Sequence, residues 1–178
     1  MKANKNFLTV ALIATCALCL FGCGNNDVKV IDGNGGSTSS TTESASDGYV
    51  FSYKNTEIPV DADFAPILES LGEPNSYFES ESCAAQGIGK HYTYNDFEIE
   101  TYPDGDVDRV LYVMLKSDAV STKEGINTSS SKEDVIAAYG EPTEEVTGSL
   151  IYNTSSMKIK FLFNGDSMIS IEYDSPKA

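Results

Sequence analysis

From Tyr49 onward the chain alternates between a two-residue and a helical hydrophobic period. Tyr49, Phe51 and Tyr53 alternate with Val50 and Ser52, and a Lys54-Asn55 turn follows. This pattern predicts a β-hairpin, or one strand and a looser edge segment over 57–60, because Pro59 lacks a ladder donor. Phe64, Ile67, Leu68 and Leu71 form an apolar stripe at helical spacing. A helix over 64–71 is therefore predicted, capped by Asp61 or Asp63, with Pro66 in its first turn and Gly72 and Pro74 closing it. Residues 79–89 are acidic, then small, and read as a connection. Three strands follow in the pattern: His91 to Tyr94, then alternating Phe97, Ile99 and Thr101, then the apolar run Val110 to Leu115. Asp104-Gly105 is the hairpin turn between the last two, and the continuous run predicts burial on both faces.

The second half repeats this order. A polar connection over 116–130 leads to Ser130 and Glu133, which have capping-box spacing, and to a helix over 132–139 carrying Val135, Ile136 and Tyr139. Gly140-Glu141-Pro142 follows it, as Gly72-Glu73-Pro74 follows the first helix, 68 positions earlier. A strand ending at Tyr152, an alternating strand through Met157, Ile159, Phe161 and Phe163, an Asn164-Gly165 turn and a last strand from Met168 to Tyr173 complete it. The expected architecture is α+β: two tandem repeats, each a short helix followed by an antiparallel sheet of three or so strands. Repeat one spans about 48–116 and repeat two about 117–175, within a globular domain over 48–178. Glu98 and Glu100 in the first repeat match Lys158 and Lys160 in the second. These side chains are expected to pair across strands if the two sheets join edge to edge.

The N-terminal segment has a different character. Lys2 and Lys5 precede 15 uncharged residues, Phe7 to Phe21. A spanning helix needs about 20 apolar residues, so this run suits a cleaved secretory signal over 1–22. Leu20-Phe21-Gly22-Cys23 resembles a bacterial lipobox, with Phe21 the one departure. The resemblance implies cleavage before Cys23 and a diacylglyceryl group on that cysteine. Two acyl chains, at about 0.8 kcal/mol per buried CH₂, anchor a protein stably to a membrane. An ordinary signal peptide or an uncleaved anchor is the alternative. Residues 23–47 then form a Ser/Thr/Gly linker, broken by an apolar Val28–Ile31, that lifts the domain off the extracytoplasmic face of the membrane.

Over about residues 48–175 the element order resembles β-lactamase inhibitor protein and, more loosely, the small lipoproteins of the outer-membrane β-barrel assembly machinery. The chain also resembles uncharacterised lipoproteins of gut Firmicutes with a similar helix-Gly-Glu-Pro-strand repeat. These resemblances supply no catalytic residue. They imply a binding or scaffolding role that uses an open sheet face and its loops.

Charge and cysteine count narrow the function further. The formal charge is −15, from 12 Lys+Arg and 27 Asp+Glu. Cleavage after residue 22 removes two lysines and leaves −17, which argues against nucleic acid and against anionic lipid headgroups as partners. Cys16 and Cys19 lie in the signal and Cys23 carries lipid, so Cys83 is left as a lone thiol among Glu79 and Glu81. A reactive Cys83, paired with the single histidine His91, is one candidate site. Asp104, Asp106 and Asp108 alternate as in a calcium loop, but Arg109 and Leu115 stand where that loop needs Gly and Glu. No serine-hydrolase elbow, phosphate loop or zinc motif is present in the sequence. All ten tyrosines follow residue 48. Tyr92, Tyr94, Tyr102 and Tyr152, on predicted strands, are the candidate binding face. The leading expectation is a non-enzymatic protein- or peptide-binding module without metal or cofactor. A solute- or wall-polymer-binding lipoprotein, or a weak enzyme using Cys83, is the alternative.

Overall fold

A computed structural model describes residues 48–178. The predicted signal peptide, Cys23 and the linker lie outside the described residues. The described chain begins with a hairpin of its own, β1 (Phe51–Tyr53) and β2 (Thr56–Ile58). Lys54 and Asn55 both take positive φ, 48° and 69°, which matches the twist of a tight two-residue turn. Helix α1 (Phe64–Leu71) starts where Asp63 accepts the Ala65 N–H at 3.0 Å. Asp61, the other predicted cap, instead receives the Tyr102 and Ser175 hydroxyls.

The remaining strands are β3 (Ser76–Glu81), β4 (Ile88–Thr93), β5 (Phe97–Asp104), β6 (Val107–Leu115), β7 (Glu144–Val146), β8 (Ser149–Asn153), β9 (Lys158–Asn164) and β10 (Ser167–Asp174). Helix α2 (Lys132–Tyr139) connects β6 to β7. The eight strands form one antiparallel sheet in the order β3-β4-β5-β6-β10-β9-β8-β7. This corrects the expected α+β pair of helix-plus-sheet repeats. Strand makes up 45% and helix 12%, and there is a single large sheet. The reason lies at its centre, where β6 and β10 pair directly, Leu115 against Ile171 and Val113 against Tyr173. Each strand satisfies the other's backbone groups, so no edge remains between the halves.

What the shared Gly-Glu-Pro marks is a shared helix exit. Gly72 and Gly140 leave their helices at φ 77° and 79°. A buried tyrosine hydroxyl then donates to each glycine carbonyl, Tyr94 to Gly72 at 3.1 Å and Tyr152 to Gly140 at 2.9 Å. The helices and the hairpin cover one sheet face, where Phe97, Ile99, Val113, Ile159, Phe161 and Ile171 meet Phe51, Phe64 and Val135.

The capping box of α2 is Ser131 with Asp134, one residue on from the predicted pair. Asp134 accepts the Ser131 backbone N–H at 2.9 Å, and the Ser131 hydroxyl accepts the Asp134 N–H at 3.2 Å. Ser131→Ala is expected to cost about 1 kcal/mol in urea unfolding at pH 7. A midpoint equal to that of the parent protein would count against this cap. The Ser131 backbone and hydroxyl hold the Asp134 carboxyl below its ordinary pKa. Its contribution is therefore present above the unfolded value, near 3.9, and fades as pH falls through the folded one.

Candidate functional site

Cys23 lies outside the described residues. The four candidate tyrosines lie in the interior. Tyr92, Tyr94, Tyr102 and Tyr152 are all buried, so they present no open face. Tyr94 and Tyr152 tie down the helix exits. Tyr102 donates to Asp61 at 2.9 Å, and Tyr92 packs between the rings of Phe64 and Tyr77. Burial pushes the Tyr94 hydroxyl up to about 12; burial, then the bond to Asp61, does the same for Tyr102. Tyr92, Tyr94 and Tyr152 lie on the sheet face that meets α1, α2 and the hairpin, which is why they are core, whereas Tyr102 lies outside that cluster and is covered by Asp61 and Lys177.

Cys83 is exposed in the loop between β3 and β4. His91 is on β4, but its partners are Ser80, Glu100 and Phe78, so the structure does not bring the Cys83–His91 pair together. Asp104 to Asp108 form the β5–β6 turn, where Asp104 binds Arg109 and Asp108 binds Lys90. Among the described residues no group of three or more acids, cysteines and histidines could hold a metal.

The sheet face away from the helices carries a charged network. Lys160 Nζ lies 2.6 Å from Glu172 and 2.7 Å from Asp174, and Glu98 pairs with Lys116. Glu98 and Glu100 do not pair with Lys158 and Lys160 as expected, because β6 and β10 stand between their strands. The charges of each half find partners on an adjacent strand instead.

The most exposed apolar surface is concentrated at one sheet edge. Tyr77, Phe78 and Ile88 are 47%, 53% and 44% exposed, three of the five exposed large apolar side chains among the described residues. Two of them sit next to each other on β3, whose six residues are all exposed. Strand alternation sends Tyr77 to the helix side and Phe78 to the open side. Ser82 closes the β3–β4 ladder by donating to Gly87 at 2.9 Å. Antiparallel alternation from that bond leaves the backbone groups of Tyr77, Glu79 and Glu81 aimed away from β4. The opposite edge, β7, is only three residues and carries Glu144 and Glu145. Short length and charge blunt that edge; β3 is longer and carries two aromatics.

A hollow flanks β3 on each face. On the helix side a groove of about 330 Å³ is walled by Leu68, Pro74, Tyr77 and Tyr92, with Glu69 and Glu73 at its rim. On the open side a hollow of about 240 Å³ is lined by Phe78, His91, Thr93, Glu98 and Tyr112. Phe78 is held in place there. Its ring stacks on the His91 imidazole, centroids 4.2 Å apart and planes 5° off parallel. His91 Nε2 is 2.9 Å from Ser80 Oγ, and Nδ1 is 3.5 Å from Glu100 Oε2.

Ser80, His91 and Glu100 thus stand in the order of a nucleophile, its base and an orienting acid. Their surroundings run against acyl transfer. Phe78 lies flat over the imidazole, and Glu79 and Glu81, on the opposite face of β3, add only negative charge to the neighbourhood. The arrangement serves instead to hold a surface in place, since it fixes both imidazole nitrogens and the imidazole fixes an exposed aromatic ring.

The sequence pattern missed β3 because Ser76-Tyr77-Phe78-Glu79-Ser80-Glu81 has no buried face and so no apolar alternation. The available signal was the adjacent aromatic pair, one residue for each face. The fold and this site define an antiparallel β protein with one open aromatic edge. Comparison with protein-family models, curated proteins and solved structures finds no match.

Proposed function

We propose that this chain is a membrane-anchored extracytoplasmic lipoprotein. Cys23 carries its diacylglyceryl anchor, and its β domain is a non-enzymatic binding module for a protein or peptide. The ligand is an extended segment that adds to β3 as a further strand. The observation that carries this reading is the exposed edge itself: six exposed residues, three of them with outward backbone groups, and two aromatics, one of them stacked on His91. Strand addition takes its affinity from backbone hydrogen bonds and its specificity from alternate side chains, and β3 offers a hollow for each alternate set. The N-terminal lipobox supports placement at the membrane.

The test is selection of phage-displayed peptides on the full-length chain, followed by a challenge with Glu79→Pro. Proline at 79 removes an outward N–H and leaves the ladder to β4 intact. Enriched peptides are expected to lose about tenfold in affinity on this variant, the cost of one lost strand hydrogen bond and the peptide carbonyl it leaves unpaired. Peptides that bind the variant as well as the parent protein would overturn strand addition at β3. The anchor has its own test: Cys23→Ala is expected to move the protein out of the membrane fraction and to abolish its labelling by radioactive palmitate.

A further inference from the structure

We infer that the strand received by β3 is cationic, with Lys or Arg at alternate positions facing the helix side and apolar residues between them facing Phe78. This rests on the strand-addition reading above and adds the chemistry of the partner.

The argument starts from which carboxylates already have cations. On the open face Glu98 pairs with Lys116, Glu172 and Asp174 pair with Lys160, and Glu100 lies beside His91. At the β5–β6 turn Asp104 pairs with Arg109 and Asp108 with Lys90. The carboxylates around β3 differ. Among the described residues Glu69, Glu73 and Glu81 make no ion pair, and Glu79 accepts only the Tyr77 hydroxyl. All four belong to α1, its exit or β3. Four carboxylates without cations thus stand beside the long, aromatic edge, two of them on β3 itself.

The groove between α1 and β3 has the shape of a basic side chain. Its walls, Leu68, Pro74, Tyr77 and Tyr92, are apolar, while Glu69 and Glu73 stand at the rim. A lysine or arginine lays its methylene stem against such walls and keeps its charge at the rim. The Tyr77 ring adds a face for the cation. On the other side of the added strand, apolar residues meet Phe78 where it rests on His91. A second copy of this chain fits less well, since it brings Glu79 and Glu81 of both copies to one seam and adds its own net negative charge.

The experiment uses the full-length chain in detergent micelles and fluorescently labelled seven-residue probes read by anisotropy. The first probe is Lys-Val-Lys-Phe-Lys-Val-Lys; two others replace every lysine by serine or by glutamate. Two further versions of the lysine probe are N-methylated at odd or at even positions. At low salt the lysine probe is expected to bind more tightly than the serine probe, and the glutamate probe not at all. Glu69→Gln with Glu73→Gln, both exposed and outside the core, is expected to weaken the lysine probe by about fivefold, the effect of two exposed ion pairs. The serine probe should be unaffected. One N-methylated version should bind like its parent and the other should not bind. Equal binding of lysine and serine probes would overturn the cationic partner and leave strand addition standing. Tight binding of both N-methylated versions would mean charge attraction without strand pairing, and would overturn both. A dimer that Glu79→Pro dissociates, and that no probe displaces, would assign the edge to a second copy and overturn the inference.

Discussion

Phe97→Ala is expected to lower the unfolding free energy by about 3–5 kcal/mol, the range for emptying a buried aromatic site. Phe97 is 1% exposed and begins β5 opposite Leu115. Its ring touches three others: Phe51 at 5.3 Å, Tyr53 at 4.9 Å and Tyr94 at 4.8 Å between centroids. Two of these belong to the β1–β2 hairpin, which pairs with no strand of the large sheet. Side-chain packing is therefore what attaches the hairpin, and Phe97 is at its centre. Tyr94 is also the residue that ties the α1 exit through Gly72, so the cavity loosens α1 as well. Urea unfolding at pH 7 reads the loss, and amide exchange over 51–58 reads the hairpin. A loss below about 1 kcal/mol, or unchanged exchange in the hairpin, would show that the site collapses without Phe97 and that other contacts hold it.

Lys160→Ala is expected to cost about 3 kcal/mol, the lower end for breaking a buried pair by removing one partner. Lys160 stands between Glu172 and Asp174 on adjacent β10, and Asp174 is 3% exposed. Without the ammonium, two carboxylates on one strand face share a site with only Lys158 nearby, 3.7 Å from Asp174. Burial pulls the Lys160 pKa down, but the hydrogen bonds to Asp174 and Glu172 outweigh it and hold it above the ordinary lysine value. The sign of the pH effect follows. The folded value is raised, so this contribution is complete below the unfolded lysine pKa, about 10.4, and is lost as pH rises through the folded one. The deficit of the variant is expected to be constant around neutral pH and to shrink in the alkaline limb of a stability–pH curve. A deficit that persists unchanged through that limb would assign the effect to lost packing of the lysine stem. Adding Asp174→Asn to the variant should recover part of the loss, since it removes the more deeply buried of the two unpaired charges.

The site at β3 and the network around Lys160 bear differently on the sequence. Lys158 and Lys160 were conspicuous as an alternating basic strand, and their side chains do share the open face with Glu98 and Glu100. Their partners were not legible, because a strand's neighbour is chosen from the whole sheet and not from its own residues. The candidate tyrosines show the same limit. Alternation placed Tyr92 and Tyr152 on strands, but alternation alone does not say which face a helix will cover. Tyr77 and Phe78 lay in a stretch that carries no periodic signal, since an edge strand exposed on both faces needs none.

Local chemistry determined the elements. The apolar stripe between Asp63 and Gly72 specifies α1 over the residues observed, 64–71, and the second stripe specifies α2 over 132–139. Hairpins close where the pattern breaks, though the two-residue turns are Gly105-Asp106 and Gly165-Asp166, one position on from the expected Asp104-Gly105 and Asn164-Gly165. These are contests between neighbours in the chain, settled by caps, positive φ and one-sided burial. Tertiary structure alone decided that β6 pairs with β10, and so that there is one sheet of eight strands and not two smaller ones. It also decided which strand would be left at the edge. Residues more than fifty positions apart must meet before those backbone groups find partners, and the free energy of that meeting belongs to the assembled core.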